Sequence, residues 1–160
     1  EGIKARLAAE HPGINIVTTV ESGEDQQLAM NQTKDILRAY PDVKGVFAIT
    51  TAALPGAAQA VESLGLTGDI AVVGNSTPNA IKQYFETGTL TSAVLWNPID
   101  HGYLTVYSAL ALARGEVSDG EAYDAGRLGD YTPASDATSL LVTLSAPLVF
   151  TSDNIDDFDF

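Results

Sequence analysis

The sequence predicts an α/β fold in which a parallel sheet is covered by helices on both faces. Short, β-branched or apolar runs alternate along the chain with longer runs of helical period. Proline, glycine and capping residues stand at the junctions, where a change of element needs them. A strand-helix-strand alternation of this kind closes most simply as right-handed parallel crossovers.

The elements follow in order. Residues 2–10 place Ile3, Leu7 and Ala8 at helical spacing, and Pro12-Gly13 ends the run. Ile14 to Val20 is β-branched and reads as a strand. Asp25 to Tyr40 repeats Leu28, Ile36 and Leu37 and stops before Pro41, giving a second helix. Val43 to Thr50 is a strand, Leu54 to Leu64 a helix of small residues ending at Gly65, and Ile70 to Gly74 a short apolar strand. Pro78 to Glu86 is a helix with Thr77 as N-cap and Gly88 as its stop. Leu90 to Trp96 is a strand, and Pro98 to Arg114 a long helix with Asn97 as N-cap and Gly115 beyond it. After residue 116 helical period fades. Short strand-like runs, Ser139 to Leu144 and Pro147 to Thr151, precede a final NIDDFDF with room for one helical turn. Boundaries are expected near residue 97 and again near 116–122.

Bulk properties narrow the function. Of 160 residues, 45% are hydrophobic and 18% charged, enough apolar material for a core. The formal net charge of −13, from 21 acidic and 8 basic residues, opposes binding to nucleic acid or to an anionic membrane surface. The acidic tail, with Asp153, Asp156, Asp157 and Asp159, reads as a solvated face rather than a metal site. The absence of cysteine removes thiol catalysis, thiolate zinc sites and disulfides together. No cofactor and no metal are expected.

In open α/β sheets ligands sit beyond the carboxyl ends of the strands. That rule selects three segments: Thr50-Thr51-Ala52, Asn75-Ser76-Thr77, and Trp96-Asn97 with Asp100 in the next helical turn. They supply hydroxyls, amides, a carboxylate and the single tryptophan. A sugar needs that mixture, because its hydroxyls take fixed donors and acceptors and its C–H face takes an aromatic plane. Each residue also has a plainer role. Thr77 and Asn97 serve as helix caps, Thr50 and Thr51 as strand ends, Asn75 and Ser76 as turn residues, and Trp96 as core.

Enzymatic readings find little support. In Gly74-Asn75-Ser76-Thr77-Pro78, Pro78 stands where a nucleophile elbow needs glycine. His11 and His101 are isolated, and His101 is one residue from Asp100, so the pair does not share a helix face. Neither GxGxxG nor GxxxxGK[ST] occurs.

The segments VFAITTAALPGAAQAVESLG, IAVVGNSTPNAIKQYFETGTL, LWNPIDHGYLTVYSALALARG and PLVFTSDNIDDFDF resemble the type I periplasmic sugar-binding family of ABC importers. Within it they are similar to the branch of rhamnose-binding and autoinducer-2-binding proteins. The pairing of STPN with LWN and a terminal NID-x-(F/Y)-DF carries the likeness. The resemblance implies two α/β lobes that close on ligand, with this chain as the C-terminal part. Residues 1–97 would be second lobe, 98–121 a return segment of the first lobe, and 122–160 a hinge crossing and tail. The partners implied are a small-molecule sugar, membrane permease subunits and an N-terminal lobe of the same protein. The implied location is periplasmic, or extracellular with a lipid anchor, after removal of a signal peptide.

Carried onto this sequence, the family's contact loop falls on Ile49, Thr50 and Thr51. The autoinducer-2 type has a Pro-Asp-Ala-like loop there, and tends to carry Asp where this chain has Asn97. The resemblance therefore implies a rhamnose-like deoxyhexose ahead of autoinducer-2. The ligand core of a sugar-responsive transcription regulator, which shares the fold, is the alternative from another class. A hydrolase on a doubly wound sheet is a third.

Overall fold

The computed structural model describes residues 2–135, 139–144 and 146–160. Helices α1 (Gly2–Glu10) and α2 (Gln26–Ala39) precede strand β1 (Gly45–Ala48). Helix α3 (Ala53–Ser63), strand β2 (Ala71–Gly74), helix α4 (Pro78–Glu86), strand β3 (Ala93–Leu95) and helix α5 (Pro98–Ala113) follow. The remainder holds β4 (Tyr123–Asp124), β5 (Asp130–Tyr131), β6 (Ala134–Ser135), β7 (Leu140–Leu141) and β8 (Leu148–Phe150). Two single 3-10 turns, Gly126–Leu128 and Ile155–Asp157, complete it. The chain forms two compact units, Glu1–Ala93 with Phe150–Phe160, and Val94–Val149.

The first unit is built on a parallel pair. β1 and β2 run in register from Gly45 opposite Ala71 to Ala48 opposite Gly74. A further parallel bridge joins Val72 to Leu90. Helix α3 makes the crossover between β1 and β2, and its sequence explains its place. Ala53, Leu54, Ala57, Ala58, Ala60 and Val61 are all buried, so almost every face of the helix meets protein. Small residues let it approach both the sheet and α2. A methyl group added to Gly56 would stand 2.5 Å from the Gln26 carbonyl oxygen and 3.0 Å from the Ala29 side chain. Pro55 lies in the first turn, where a backbone N–H has no helical partner anyway.

Asp25 caps α2 by accepting from the Leu28 N–H at 2.9 Å. The C-terminal residues pack on α4. The Asn79 amide donates to Asp159 at 3.0 Å, the Asn79 N–H to the Phe160 carbonyl at 3.2 Å, and Lys82 pairs with Asp156 at 3.8 Å. The Phe150, Phe158 and Phe160 rings meet edge to face. Asp153, Asp156, Asp157 and Asp159 are all exposed, in keeping with a solvated face, and Asp156 and Asp159 also reach α4.

In the second unit, α5 packs Leu104 and Ala111 against Tyr123 and Ala125, with Tyr107, Val117, Leu128, Tyr131, Val142 and Leu144 around them. Ser108 and Tyr123 share a hydroxyl hydrogen bond of 2.6 Å. The strands here are two-residue antiparallel pairs, β4 with β5 and β6 with β7. Ile99, Val106 and Leu112 of α5 remain exposed.

Two expectations change. Ile14 to Val20 is not a strand. It joins no strand pair, and Ile14, Ile16, Val17 and Val20 are exposed. β-branched composition favours extended backbone, but a strand also needs a partner edge. The expected strand 90–96 shortens to Ala93–Leu95, with Leu90 making only its single bridge. Similarly, of 139–144 only Leu140–Leu141 pair.

The closest approach in the sheet is testable. A Cβ on Gly74 would lie 1.7 Å from the Ala48 carbonyl oxygen, backbone against backbone. Gly74→Ala is expected to destabilise the chain by about 3 kcal/mol or more, read from the midpoint of urea unfolding.

Candidate functional site

The C-terminal ends of β1 and β2 bring two of the three selected segments together. Thr50 lies two residues beyond β1, and its hydroxyl oxygen accepts from the Ala53 N–H at 3.1 Å, supporting the first turn of α3. The same hydroxyl donates to the Gly23 carbonyl at 3.4 Å. Ser76 is wholly buried, and its hydroxyl donates to the Thr51 carbonyl at 2.7 Å. The Asn75 N–H donates to the Ala48 carbonyl at 3.2 Å, extending the β1–β2 ladder by one residue.

These contacts separate positioning groups from free ones. Ser76 has no surface to offer a ligand, so its role is to staple the two strand ends. Thr50 is occupied by the turns on either side. The Thr51 side chain is exposed, and Asn75 and Thr77 are half-buried. Thr77 occupies the N-cap position of α4, yet its side chain makes no capping hydrogen bond. Ile49, in the same loop, is 61% exposed. The exposed Thr51, the Asn75 amide and the Thr77 hydroxyl are the polar groups this strand end presents.

The third segment lies in the second unit. Trp96 follows β3 directly and is 47% exposed, which sets aside the reading of it as core. His101 meets its ring edge-on at 6.3 Å. Asn97 caps α5, its side-chain oxygen accepting from the N–H groups of Ile99 at 3.0 Å and Asp100 at 3.2 Å. Asp100 accepts from the Arg127 guanidinium at 2.6 Å. Arg127 also lies over the Tyr103 ring, 4.5 Å from its centroid, and its N–H donates to the Tyr103 hydroxyl at 3.2 Å.

Tyr103 stacks on Tyr107 with centroids 4.6 Å apart. The hydrogen bond between their hydroxyls divides them, lowering the pKa of Tyr103 below the ordinary tyrosine value and raising that of Tyr107. The Arg127 N–H reinforces the effect on Tyr103. Gly126, at φ +62°, lets the loop pass against this stack, since a Cβ there would fall 2.5 Å from the Tyr103 hydroxyl. Asp100 is therefore ion-paired, with a carboxylate already neutralised by a cation.

Arg127, Tyr103 and Tyr107 went unselected by the strand-end rule, because they lie inside a helix and a late loop. One signal pointed to Arg127: it is the single basic residue after Arg114, in an otherwise acidic stretch. Among the described residues no group of three or more His, Asp or Glu is placed to hold a metal ion. Among them, too, no helix is long and apolar enough to cross a membrane.

The cap assignments give a paired prediction. Asn97→Ala removes two capping hydrogen bonds and is expected to lower stability by about 1 kcal/mol, while Thr77→Ala removes none and should change it by less than about 0.5 kcal/mol. Chemical denaturation of the two variants checks the difference.

Comparison with known proteins agrees with this architecture. A structure from Clostridium phytofermentas, an ABC transporter solute binding protein with bound L-rhamnose, matches 98% of this chain and 52% of its own at 25% identity and a TM-score of 0.87. LsrB from Clostridium saccharobutylicum in complex with AI-2 matches 98% and 53% at 28% identity and a TM-score of 0.86. The D-allose-binding periplasmic protein of Escherichia coli is 29% identical over 89 residues, which are 56% of this chain and 29% of that protein. The chain thus spans about half the length of these solved relatives and less of the allose binder. The model of the periplasmic binding protein domain family matches residues 1–117, and the chain belongs to that family.

Proposed function

We propose that the chain is the C-terminal part of an extracytoplasmic solute-binding component of an ABC importer, and that it binds a small monosaccharide without catalysis. The observation that carries this reading is Trp96. It is the single tryptophan of the sequence, held half-exposed at a strand end beside a helix N-terminus that Asn97 fixes. An indole face placed there takes the apolar face of a pyranose. The proposed site is built from Thr50, Thr51, Ala52, Asn75, Ser76, Trp96, Asn97 and Asp100. Within it Ser76, Thr50 and Asp100 act by holding their neighbours. Thr51, Asn75 and Trp96 meet the sugar.

A rhamnose-like deoxyhexose is the favoured ligand. The relative with bound L-rhamnose supports it, as do the Ile49-Thr50-Thr51 loop and Asn97. The likeness to the AI-2 complex supports a second reading, autoinducer-2 in the same fold. Residues 98–121 are assigned to the first lobe of the longer protein. The exposed Ile99, Val106, Leu110 and Leu112 of α5 support this, because exposed apolar side chains gathered on one helix are ordinarily covered.

The mechanism is a population shift. Ligand that contacts both lobes of the longer protein stabilises the closed form by its differential affinity, and permease subunits read that form. A monosaccharide has about a dozen heavy atoms, so a binding free energy of about −8 kcal/mol, near 1 μM, is within reach.

A thermal-shift screen of the longer protein should give its largest rise in Tm with L-rhamnose or a related deoxyhexose. A rise with autoinducer-2 alone would establish the second reading. Trp96→Ala should weaken binding at least tenfold by calorimetry while leaving the circular dichroism spectrum unchanged. The 160-residue chain by itself should bind far more weakly than the longer protein.

A further inference from the structure

Asn97 is the N-cap of α5, so Trp96 is the residue just outside the helix and His101 is the fourth residue within it. Side chains at those two positions meet across the helix start, and an apolar pair there fixes the angle at which the chain enters the helix. Here the outer position holds the single tryptophan, and the inner one holds an imidazole instead of an aliphatic group. The two rings meet with centroids 6.3 Å apart and planes at 81°.

Aromatic quadrupoles favour such a perpendicular meeting, because the edge of one ring is positive and the face of the other negative. Standing across the indole rather than flat on it, the imidazole leaves an indole face open to a pyranose. Its backbone is well held. The His101 N–H donates to the Asn97 carbonyl at 2.9 Å, and the His101 carbonyl accepts from the Thr105 hydroxyl at 2.7 Å.

The neighbours that could draw the imidazole away are engaged or absent. Asp100 accepts from Arg127 at 2.6 Å, and residues one apart on a helix do not face each other. Gly102 has no side chain. Thr105, one turn on, spends its hydroxyl on the backbone.

Trp96 needs such a hold. It is 47% exposed and follows a strand of three residues. A half-exposed ring on so short a strand has several rotamers open to it, and ordering it at the moment of binding costs affinity.

The geometry points to His101 as the positioning residue of Trp96: its imidazole keeps the indole in the orientation that receives the sugar. This rests on the reading of Trp96 as the platform for the sugar's apolar face. A leucine at position 101 would serve the helix entry equally well, but it brings no positive ring edge to set the indole plane.

The test uses the longer protein labelled with 5-fluorotryptophan, in which Trp96→Phe identifies the resonance of Trp96. Without ligand, His101→Ala and His101→Leu should both move that resonance toward its position in urea-unfolded protein, and His101→Phe should keep it near the native one. Calorimetry with L-rhamnose should show about three- to tenfold weaker binding for the alanine and leucine variants, the range that one aromatic contact supports, and recovery for phenylalanine. His101→Leu should keep the urea midpoint, which separates loss of orientation from loss of fold. A resonance that stays in place in His101→Ala would overturn the inference whatever the sugar result. So would a moved resonance with unchanged rhamnose affinity, since the indole would then need no holding. Absence of rhamnose binding by the unaltered protein would instead sink the deoxyhexose reading, and the fluorine resonance alone would decide whether His101 sets the indole.

Discussion

The approach of Gly74 to the Ala48 carbonyl is the constraint on which the first unit rests. It sets the parallel register, with Ala48 opposite Gly74. That register ends both strands at the same level, so the loop from Ile49 to Ala52 faces Asn75 and Ser76. The Asn75 N–H and the Ser76 hydroxyl then continue the strand ladder into the loops, through the Ala48 and Thr51 carbonyls. Loop backbone that would otherwise move is held by buried hydrogen bonds, whose loss leaves a carbonyl unpaired in a dry place. Side chains offered to a ligand from such a loop are presented in a fixed arrangement, which lowers the ordering cost of binding.

A different device serves the second unit. Its strands are two-residue pairs, too short to organise a surface by themselves. Organisation comes instead from the start of α5. Asn97 closes the helix N-terminus, Asp100 in the first turn draws in Arg127, and the guanidinium settles on the Tyr103 ring. A carboxylate near a helix N-terminus is favoured by the helix dipole as well as by the cation. The Tyr103–Tyr107 stack carries this order along the helix toward Ser108 and Tyr123.

The two devices explain why the polar residues at strand ends divide into holders and contacts. Residue type alone does not distinguish them. Ser76 and Thr51 both carry hydroxyls, but one points into the core and the other outward. Asn97 and Thr77 both precede a helix that begins with proline, but only Asn97 bends its side chain back to the N–H groups. The shorter reach and β-branch of threonine restrict its rotamers, and the direction of the local backbone decides the rest.

Much of this protein was legible in its residues taken in order. Periodicity and punctuation placed all five helices to within about two residues, because helical hydrogen bonds and caps are local. The parallel α/β character and the meeting of the β1 and β2 ends were legible for the same reason: alternation of elements leaves few ways to close a sheet. Three things were decided only by tertiary structure. Residues 14–20 have a strand's composition and no strand's partner, and pairing is a property of two segments. Arg127 meets Asp100 across a sequence separation that no local pattern encodes. And Ser76, Thr50 and Asp100 became holders because burial and ion pairing are settled by neighbours distant in the chain, which a sequence read residue by residue does not display.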